Sequence, residues 1–337
     1  MENYGKILIK SVNWIGDAVF MTPLLSVLRK NFPSSRISLL VNPRVKDVFR
    51  LNRDVDEIIV YDTCAEHRGL FKKIGFIRSL RKKKFDLGIV VQPHSYEAAL
   101  LVFFAGIRHR IGYSFPLRDV FLTKTVRLEA EKKHDVEVFQ GVLKALGIES
   151  AERDVSIGVD ERSESWAEDF LRENGMGKNG LLVGLNPGAS SQARRWPEER
   201  YAALCDRITR EGGAGVIIFY GPGDEEVAKR VLSLVRERPA MAETDIMHLA
   251  ALAKRCNLFI GNDTGPVHIA AAVGTPTIAI VGSTDPGRTR PLGDGHCVIN
   301  KNILCSPCFR KTCEQLTCMR MITVDEVFFL AMERLKK

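Results

Sequence analysis

Two short stretches of this chain carry the residue types that could do chemistry on an anion. In the first, residues 258–288, an apolar run ends at Gly261 and passes through Asn262-Asp263-Thr264-Gly265. Pro266 then fits the first turn of a helix, where its missing N–H costs nothing, and His268 follows within the first helical turns. A helix start leaves backbone N–H groups unpaired, and with the helix dipole they favour negative charge. In the second stretch, Asn186-Pro187-Gly188-Ala189 follows a strand-like run and leads through Arg194 and Arg195 to a helix start at Pro197-Glu198. Glycine and small side chains let amides approach a phosphate closely, and a guanidinium offers a fork for two of its oxygens. Plainer explanations stand beside these. Asp263 or Thr264 could cap the helix, His268 could be an ordinary helix residue, and Arg195 could form an exposed ion pair.

These loops need a scaffold, and the pattern around them supplies one. Strand-like runs at 6–10, 37–41, 57–61 and 86–91, with a short strand or turn at 110–113, alternate with helical patterns in the first half, including one over 132–146. A second series starts at 181–185 and continues at 215–220, 258–260 and 277–281. Such alternation reads as a Rossmann-like, doubly wound α/β domain, whose ligands bind beyond the strand ends. Residues 147–178 are charged and lack strands, which places a junction there. The expected domains are 1–160 and 161–337, with 161–178 as a linker helix and 323–337 as a terminal helix opened by Thr323 and Asp325. Pro23 should kink the first helix or mark a later start with Thr22 as cap.

At 337 residues, 45% hydrophobic and 27% charged, the chain suits two soluble domains with their own cores. The opening MENYGKILIK has no long apolar segment or cleavage pattern, so no secretory signal is expected. Nor does any run approach the length of a membrane span, so a cytoplasmic protein is the expectation. The net charge of +8, with basic clusters at 78–84, 108–110 and 301–311, suits an anionic partner. No basic motif with interleaved aromatics is present, so no nucleic-acid partner is expected. Cys64, Cys205, Cys256 and Cys297 are scattered and read as inert thiols. Cys305, Cys308, Cys313 and Cys318 crowd together, but their spacing matches neither a zinc nor an iron–sulfur pattern well.

D-T-G-P-x-H from Asp263 to His268, then A-A-x-G-T-P and G-x-T-D-P, resembles the nucleotide-sugar half of glycosyltransferase family 9, the lipopolysaccharide heptosyltransferases. N-W-I-G-D at 13–17 with T-P-L-L at 22–25 resembles the other half, nearest to members that add the second heptose. The resemblance implies a GT-B architecture, two Rossmann-like domains facing across a cleft. It implies an inverting, metal-independent transfer of L-glycero-D-manno-heptose from ADP-heptose to heptosyl-Kdo-lipid A, without a cofactor. Asp17 becomes the catalytic base, where the residue pattern alone favours a helix cap. Arg194 stands where the family usually has a diphosphate-binding Lys, among donor contacts Asn186, Pro187, Gly188, Ala189 and Arg195. Tyr220 and Gly221 fall near the nucleotide base and ribose. Asp263 would hold sugar hydroxyls and is the rival base, Thr264, Gly265 and Pro266 would offer amides to the diphosphate, and His268 would support that turn or reach a phosphate. Trp14, Gly16, His67, Arg68, His94 and Arg110 become acceptor contacts, with Arg118 a further candidate for anionic groups. The partners implied are ADP-heptose, a lipid A-linked acceptor and the cytoplasmic face of the inner membrane. A first heptosyltransferase or another family member is the nearest alternative; a sugar-nucleotide epimerase or a binding protein of the same fold is more distant.

Overall fold

The computed structural model describes residues 4–129, 133–176 and 180–336. The expected helix start at 132, the end of the 161–178 segment and residue 337 lie outside these. The chain divides into two compact units, Met1–Gly158 and Val159–Lys337.

The first unit runs β1 (Lys6–Lys10), α1 (Ile15–Phe20), α2 (Thr22–Asn31), β2 (Arg36–Val41), β3 (Glu57–Val60), α3 (Leu70–Lys83), β4 (Leu87–Val90), α4 (Tyr96–Phe104), β5 (His109–Tyr113), β6 (Lys124–Val126) and α5 (Asp135–Gly141). Its six strands pair in parallel in the order β3-β2-β1-β4-β5-β6. Central strands of such a sheet are covered on both faces, so they read as continuous apolar runs rather than alternating ones. Ile7, Leu8 and Ile9 in β1 are all fully buried.

The second unit repeats the plan. It runs α6 (Glu161–Glu173), β7 (Leu182–Asn186), α7 (Glu198–Arg210), β8 (Gly215–Tyr220), α8 (Glu225–Leu234), β9 (Ala240–Glu243), α9 (Ile246–Ala253), β10 (Leu258–Asn262), α10 (Gly265–Ala272), β11 (Thr277–Val281), α11 (Pro286–Thr289), β12 (Cys297–Asn300), α12 (Thr317–Arg320) and α13 (Val324–Leu335). The order β12-β11-β10-β7-β8-β9, again all parallel, is the first sheet's order read from the other edge. In both units strand order reverses at one place, between β1 and β4 and between β7 and β10. Loops leaving the carboxyl ends of those strands diverge to opposite faces and open a crevice for ligand. The 11–17, 91–95, 187–197 and 263–265 loops all leave from these points.

The observed elements depart from the sequence expectation in instructive places. The first helix breaks at Met21, and Pro23 falls in the first turn of α2. Thr22 does not cap it; its hydroxyl donates to Val19 O at 2.8 Å. The 132–146 pattern resolves into α5 and a short 3-10 turn over Val142–Leu146. Strands β6, β9 and β12 were not anticipated, and each is an edge strand of three or four residues. Helix α6 is docked on the second unit rather than left as a connector. Its Glu164 pairs with Lys254 at 2.6 Å and Arg255 at 2.9 Å, and Trp166 stacks on His248 with ring centres 4.1 Å apart. Helix α13 opens with the expected Thr323, completed as a reciprocal capping box by Glu326.

Candidate active site

Strand β10 carries the second unit's site because its last residue is an asparagine in a fully buried position. Asn262 Oδ1 accepts from Trp196 N at 2.9 Å, and its amide donates to Pro187 O at 2.9 Å and Gly188 O at 3.2 Å. One side chain therefore fastens both ends of the 187–196 loop against the start of α10. Trp196 is itself buried, its indole N–H donating to Ile322 O at 3.0 Å. Gly261 allows this approach, since a Cβ there would lie 2.9 Å from Val267 and 3.2 Å from Asn186 O.

The helix start at Gly265 is left uncapped. Thr264 occupies the N-cap position, but its hydroxyl points back to Asn262 O at 3.2 Å and bonds none of the helix amides. Asp263 does not cap either. Its carboxylate, 3% exposed, accepts from the Thr284 hydroxyl and from Thr289 Oγ1 at 2.9 Å, and faces His268 Nε2 at 3.2 Å. Burial pushes the Asp263 carboxyl up, but His268 and the two hydroxyls outweigh it and hold the group below the usual carboxylate range. A carboxylate so occupied clamps the 281–289 loop to α10. The capping alternative for Asp263 and Thr264 is thereby set aside.

The two arginines of the 187–196 loop differ. Arg195 is turned inward: Nε and a terminal nitrogen donate to Ala189 O at 3.0 and 2.8 Å, and it faces Asp224 at 3.5 Å. Asp224 packs over Gly188, where a Cβ would fall 2.3 Å from its carboxylate oxygen. Burial raises the Asp224 pKa against the pull of Arg195 and the Ala189 amide. Arg194, half-buried, makes no side-chain hydrogen bond or ion pair among the described residues. It is the cation left over. Asn186 is buried and ties β7 to β8 by donating to Phe219 O at 3.0 Å, so it shapes the loop from behind. Tyr220 ends β8, its carbonyl accepting from Thr244 N at 2.9 Å, and Gly221 follows at the same strand end. Pro187, Gly265 and Pro266 lie in the loop and helix start these bonds define.

The cysteine-rich segment straps this arrangement from outside. Cys308 N and Phe309 N donate to Ser283 O at 3.1 and 2.8 Å, Cys313 N to Gln192 Oε1 at 2.9 Å, and Ser191 Oγ to Lys311 O at 2.7 Å. Its four cysteines are free thiols, and among the described residues no three His, Cys, Asp or Glu side chains are grouped to hold a metal ion.

In the first unit the 11–17 loop is pinned from two sides. Lys10, 6% exposed, donates to Ser11 O at 2.9 Å and Asn13 Oδ1 at 3.4 Å, and Asn42 donates to Asn13 Oδ1 at 3.1 Å. Burial lowers Lys10 to about 8, partly opposed by Glu97. Asp17 and Gly16 stand in the first turn of α1, whose N-cap position belongs to Trp14, so Asp17 is not the cap. Trp14 is 55% exposed with the Arg44 guanidinium 4.7 Å over its ring. His94 is exposed, its ring 4.9 Å from Phe115, and the Arg68 side chain is exposed.

The other basic candidates face inward. Arg110 donates to Phe121 O at 2.7 Å, Ile107 O at 2.5 Å and Arg108 O at 3.2 Å, so carbonyls occupy its guanidinium. Arg118 is fully buried and bonded to Gln92 O, at 3.0 Å, and Tyr113 O. His67 packs between Tyr61 and Phe76, and its Nδ1 accepts from Asp62 N at 3.1 Å. All three are engaged in contacts within the first unit. Asn262, Thr284, Thr289, Lys10 and Asn42 were not among the sequence candidates. A polar residue closing a buried strand, as at Asn262 and Lys10, was the available signal; nothing local marked the two threonines as partners of Asp263.

Known proteins bear on this geometry. Residues 74–318 match glycosyltransferase family 9 (heptosyltransferase). The chain is 28% identical over 311 residues to lipopolysaccharide heptosyltransferase 2 of Escherichia coli strain K12, covering 87% of each. A solved family 9 glycosyltransferase from Veillonella parvula superposes with a TM-score of 0.91 at 27% identity, covering 100% of this chain and 98% of that one. E. coli ADP-heptose heptosyltransferase II superposes at 0.82 with 23% identity, covering 98% of each. With two doubly wound units of the GT-B class and the family's pattern spanning most of its length, the chain belongs to glycosyltransferase family 9, the heptosyltransferases.

Proposed function

We propose that this enzyme transfers L-glycero-D-manno-heptose from ADP-heptose to a heptosyl-Kdo-lipid A acceptor in the inner core of lipopolysaccharide, with inversion and without a metal ion. Asp17 accepts the proton of the acceptor hydroxyl as that oxygen attacks C1 of the donor sugar. The bond from C1 to the diphosphate breaks, and ADP departs carrying the electron pair. The transition state is oxocarbenium-like, and the charge growing on the diphosphate must be met by donors already in place. The amides at Gly265 and beyond, with the Arg194 guanidinium, supply them. Asp263 and His268 then act as the clamp that holds those amides in position. Trp14, Gly16, Arg68 and His94 are the acceptor contacts retained in this reading, and the acceptor places the enzyme at the cytoplasmic face of the inner membrane.

The observation that carries this reading is the start of α10, without a side-chain cap, beside a loop fastened at both ends by Asn262, with the Arg194 side chain unpaired among the described residues. Its similarity to heptosyltransferase 2 proteins favours the heptosylated acceptor. The test supplies ADP-heptose with defined truncated cores and follows ADP release. Release with heptosyl-Kdo-lipid A, undiminished by a chelator, is the expected result. Release only with Kdo-lipid A would move the activity to the first heptose. Tight ADP binding with no turnover on any core would make the chain a binding protein.

A further inference from the structure

The net positive charge of this protein lies in one half of it. Residues 1–158 hold 26 Lys and Arg against 18 Asp and Glu, whereas residues 159–337 hold 23 of each, so the whole excess of +8 belongs to the first unit.

That unit also exposes an apolar surface where a polar one is the rule. The solvent face of a surface helix is normally polar. In α4 the inner positions Ala98, Ala99, Leu101 and Val102 are buried, yet the outer face is also apolar. Tyr96, Phe103 and Phe104, spaced to share one side of the helix, are 39, 38 and 53% exposed. The 114–121 loop extends this surface. It lies against α4 through the Tyr96 hydroxyl, which donates to Pro116 O at 2.6 Å, and through Phe121, whose ring centre is 5.4 Å from that of Phe103. From it Leu117 and Val120 project, 83 and 72% exposed, Leu117 with a φ of 60° that a leucine seldom adopts. Helix α3 joins at the other end through Lys73 and Glu97, 3.8 Å apart, and begins with an exposed Phe71. Lys72, Arg108 and Lys124, within four residues in sequence of Phe71, Phe104 and Val120, are exposed as well.

We propose that this face, formed by the outer side of α4, the 114–121 loop and the start of α3, docks the first unit on an anionic lipid bilayer. The proposal rests on the reading above of a lipid-linked acceptor. Exposed apolar side chains on a unit with an excess of Lys and Arg match an interface of acyl chains beneath anionic headgroups, where the two attractions add. A second copy of the chain would bring the same positive excess against itself, which opposes self-association through this face.

The experiment is flotation of the full chain with vesicles of phosphatidylcholine, alone or mixed with phosphatidylglycerol. Binding only to the anionic vesicles, weakening as salt is raised, is the expected result. Phe71→Ser and Leu117→Ser, at exposed positions, should each lower vesicle binding about tenfold. Transfer to a detergent-dispersed acceptor should stay unchanged in both variants while transfer to vesicle-embedded acceptor falls. Wild-type chain that ignores anionic vesicles, or variants that bind them as tightly as wild type, would overturn the proposal. So would self-association abolished by the same substitutions without vesicle binding. Failure to transfer heptose to either acceptor form would instead remove the proposed activity, and flotation would still decide the docking face.

Discussion

Asp263 and Asp17 are the two carboxylates that could serve as base, and the Asp263→Asn variant separates their roles. Asp263 is buried, accepts from two threonine hydroxyls and faces His268. Both threonine hydroxyls donate to Oδ2 and His268 Nε2 faces Oδ1, so an amide of the same shape keeps its oxygen on the threonines, turns its NH2 toward His268 and loses the charge that imidazole pairs with. One such buried group left without its charged partner costs about 1–3 kcal/mol. In a unit of this size that lowers the melting temperature by about 2–12 °C. Because the clamp holds the 281–289 loop against the start of α10, ADP affinity should fall with stability. The pH dependence has the same origin. The folded pKa of Asp263 is depressed, so its stabilising contribution is complete above the unfolded value near 3.8 and disappears as pH falls through the lower folded value. The acid limb of unfolding should therefore lie at lower pH in the wild type than in a Thr284→Val, Thr289→Val variant, whose Asp263 has lost two of the bonds that depress its pKa. The assays are thermal melting, ADP titration and turnover on Asp263→Asn and Asp17→Asn in parallel. Asp17→Asn should melt and bind ADP normally while turnover falls at least a hundredfold. An Asp263→Asn protein with normal melting and normal ADP binding but no turnover would refute the clamp and make Asp263 the base.

Three further outcomes follow from the same bonds. Arg194→Ala should weaken ADP binding about tenfold to a hundredfold by titration, in keeping with loss of a charged hydrogen bond, and leave melting unchanged, whereas Arg194→Lys should retain most of the affinity. Asn262→Leu removes the acceptor for Trp196 N and two donors to the 187–188 carbonyls, so thermal melting should drop by several degrees and ADP affinity with it. Lys10 is a base with a lowered folded pKa, so its burial penalty is full below about 8 and relieved as pH rises toward 10.5. The first unit should gain up to about 3 kcal/mol across that interval in denaturant titrations, and Lys10→Met should flatten the rise.

Much of this molecule was written in local sequence. The apolar runs of β1, β4, β7 and β10 are buried on both faces, so their identity as strands depends on little beyond their own composition, and the turns after them announced the loops that matter. Pro266 and Pro197 marked helix starts, and Thr323 with Glu326 marked another, because caps are satisfied within four residues of chain. The family pattern placed Asp17, Arg194 and Asp263 on those loops. What local sequence could not hold was the partnership between them. Which arginine of the adjacent pair Arg194 and Arg195 is left unpaired depends on Ala189 and Asp224, and which aspartate is occupied depends on Thr284 and Thr289. Edge strands β6, β9 and β12 were equally invisible, since three or four half-exposed residues become a strand only when a neighbour offers its hydrogen bonds. Burial, pairing and charge neutralisation act between residues far apart in the chain, and only the folded sheets bring those residues within reach of one another.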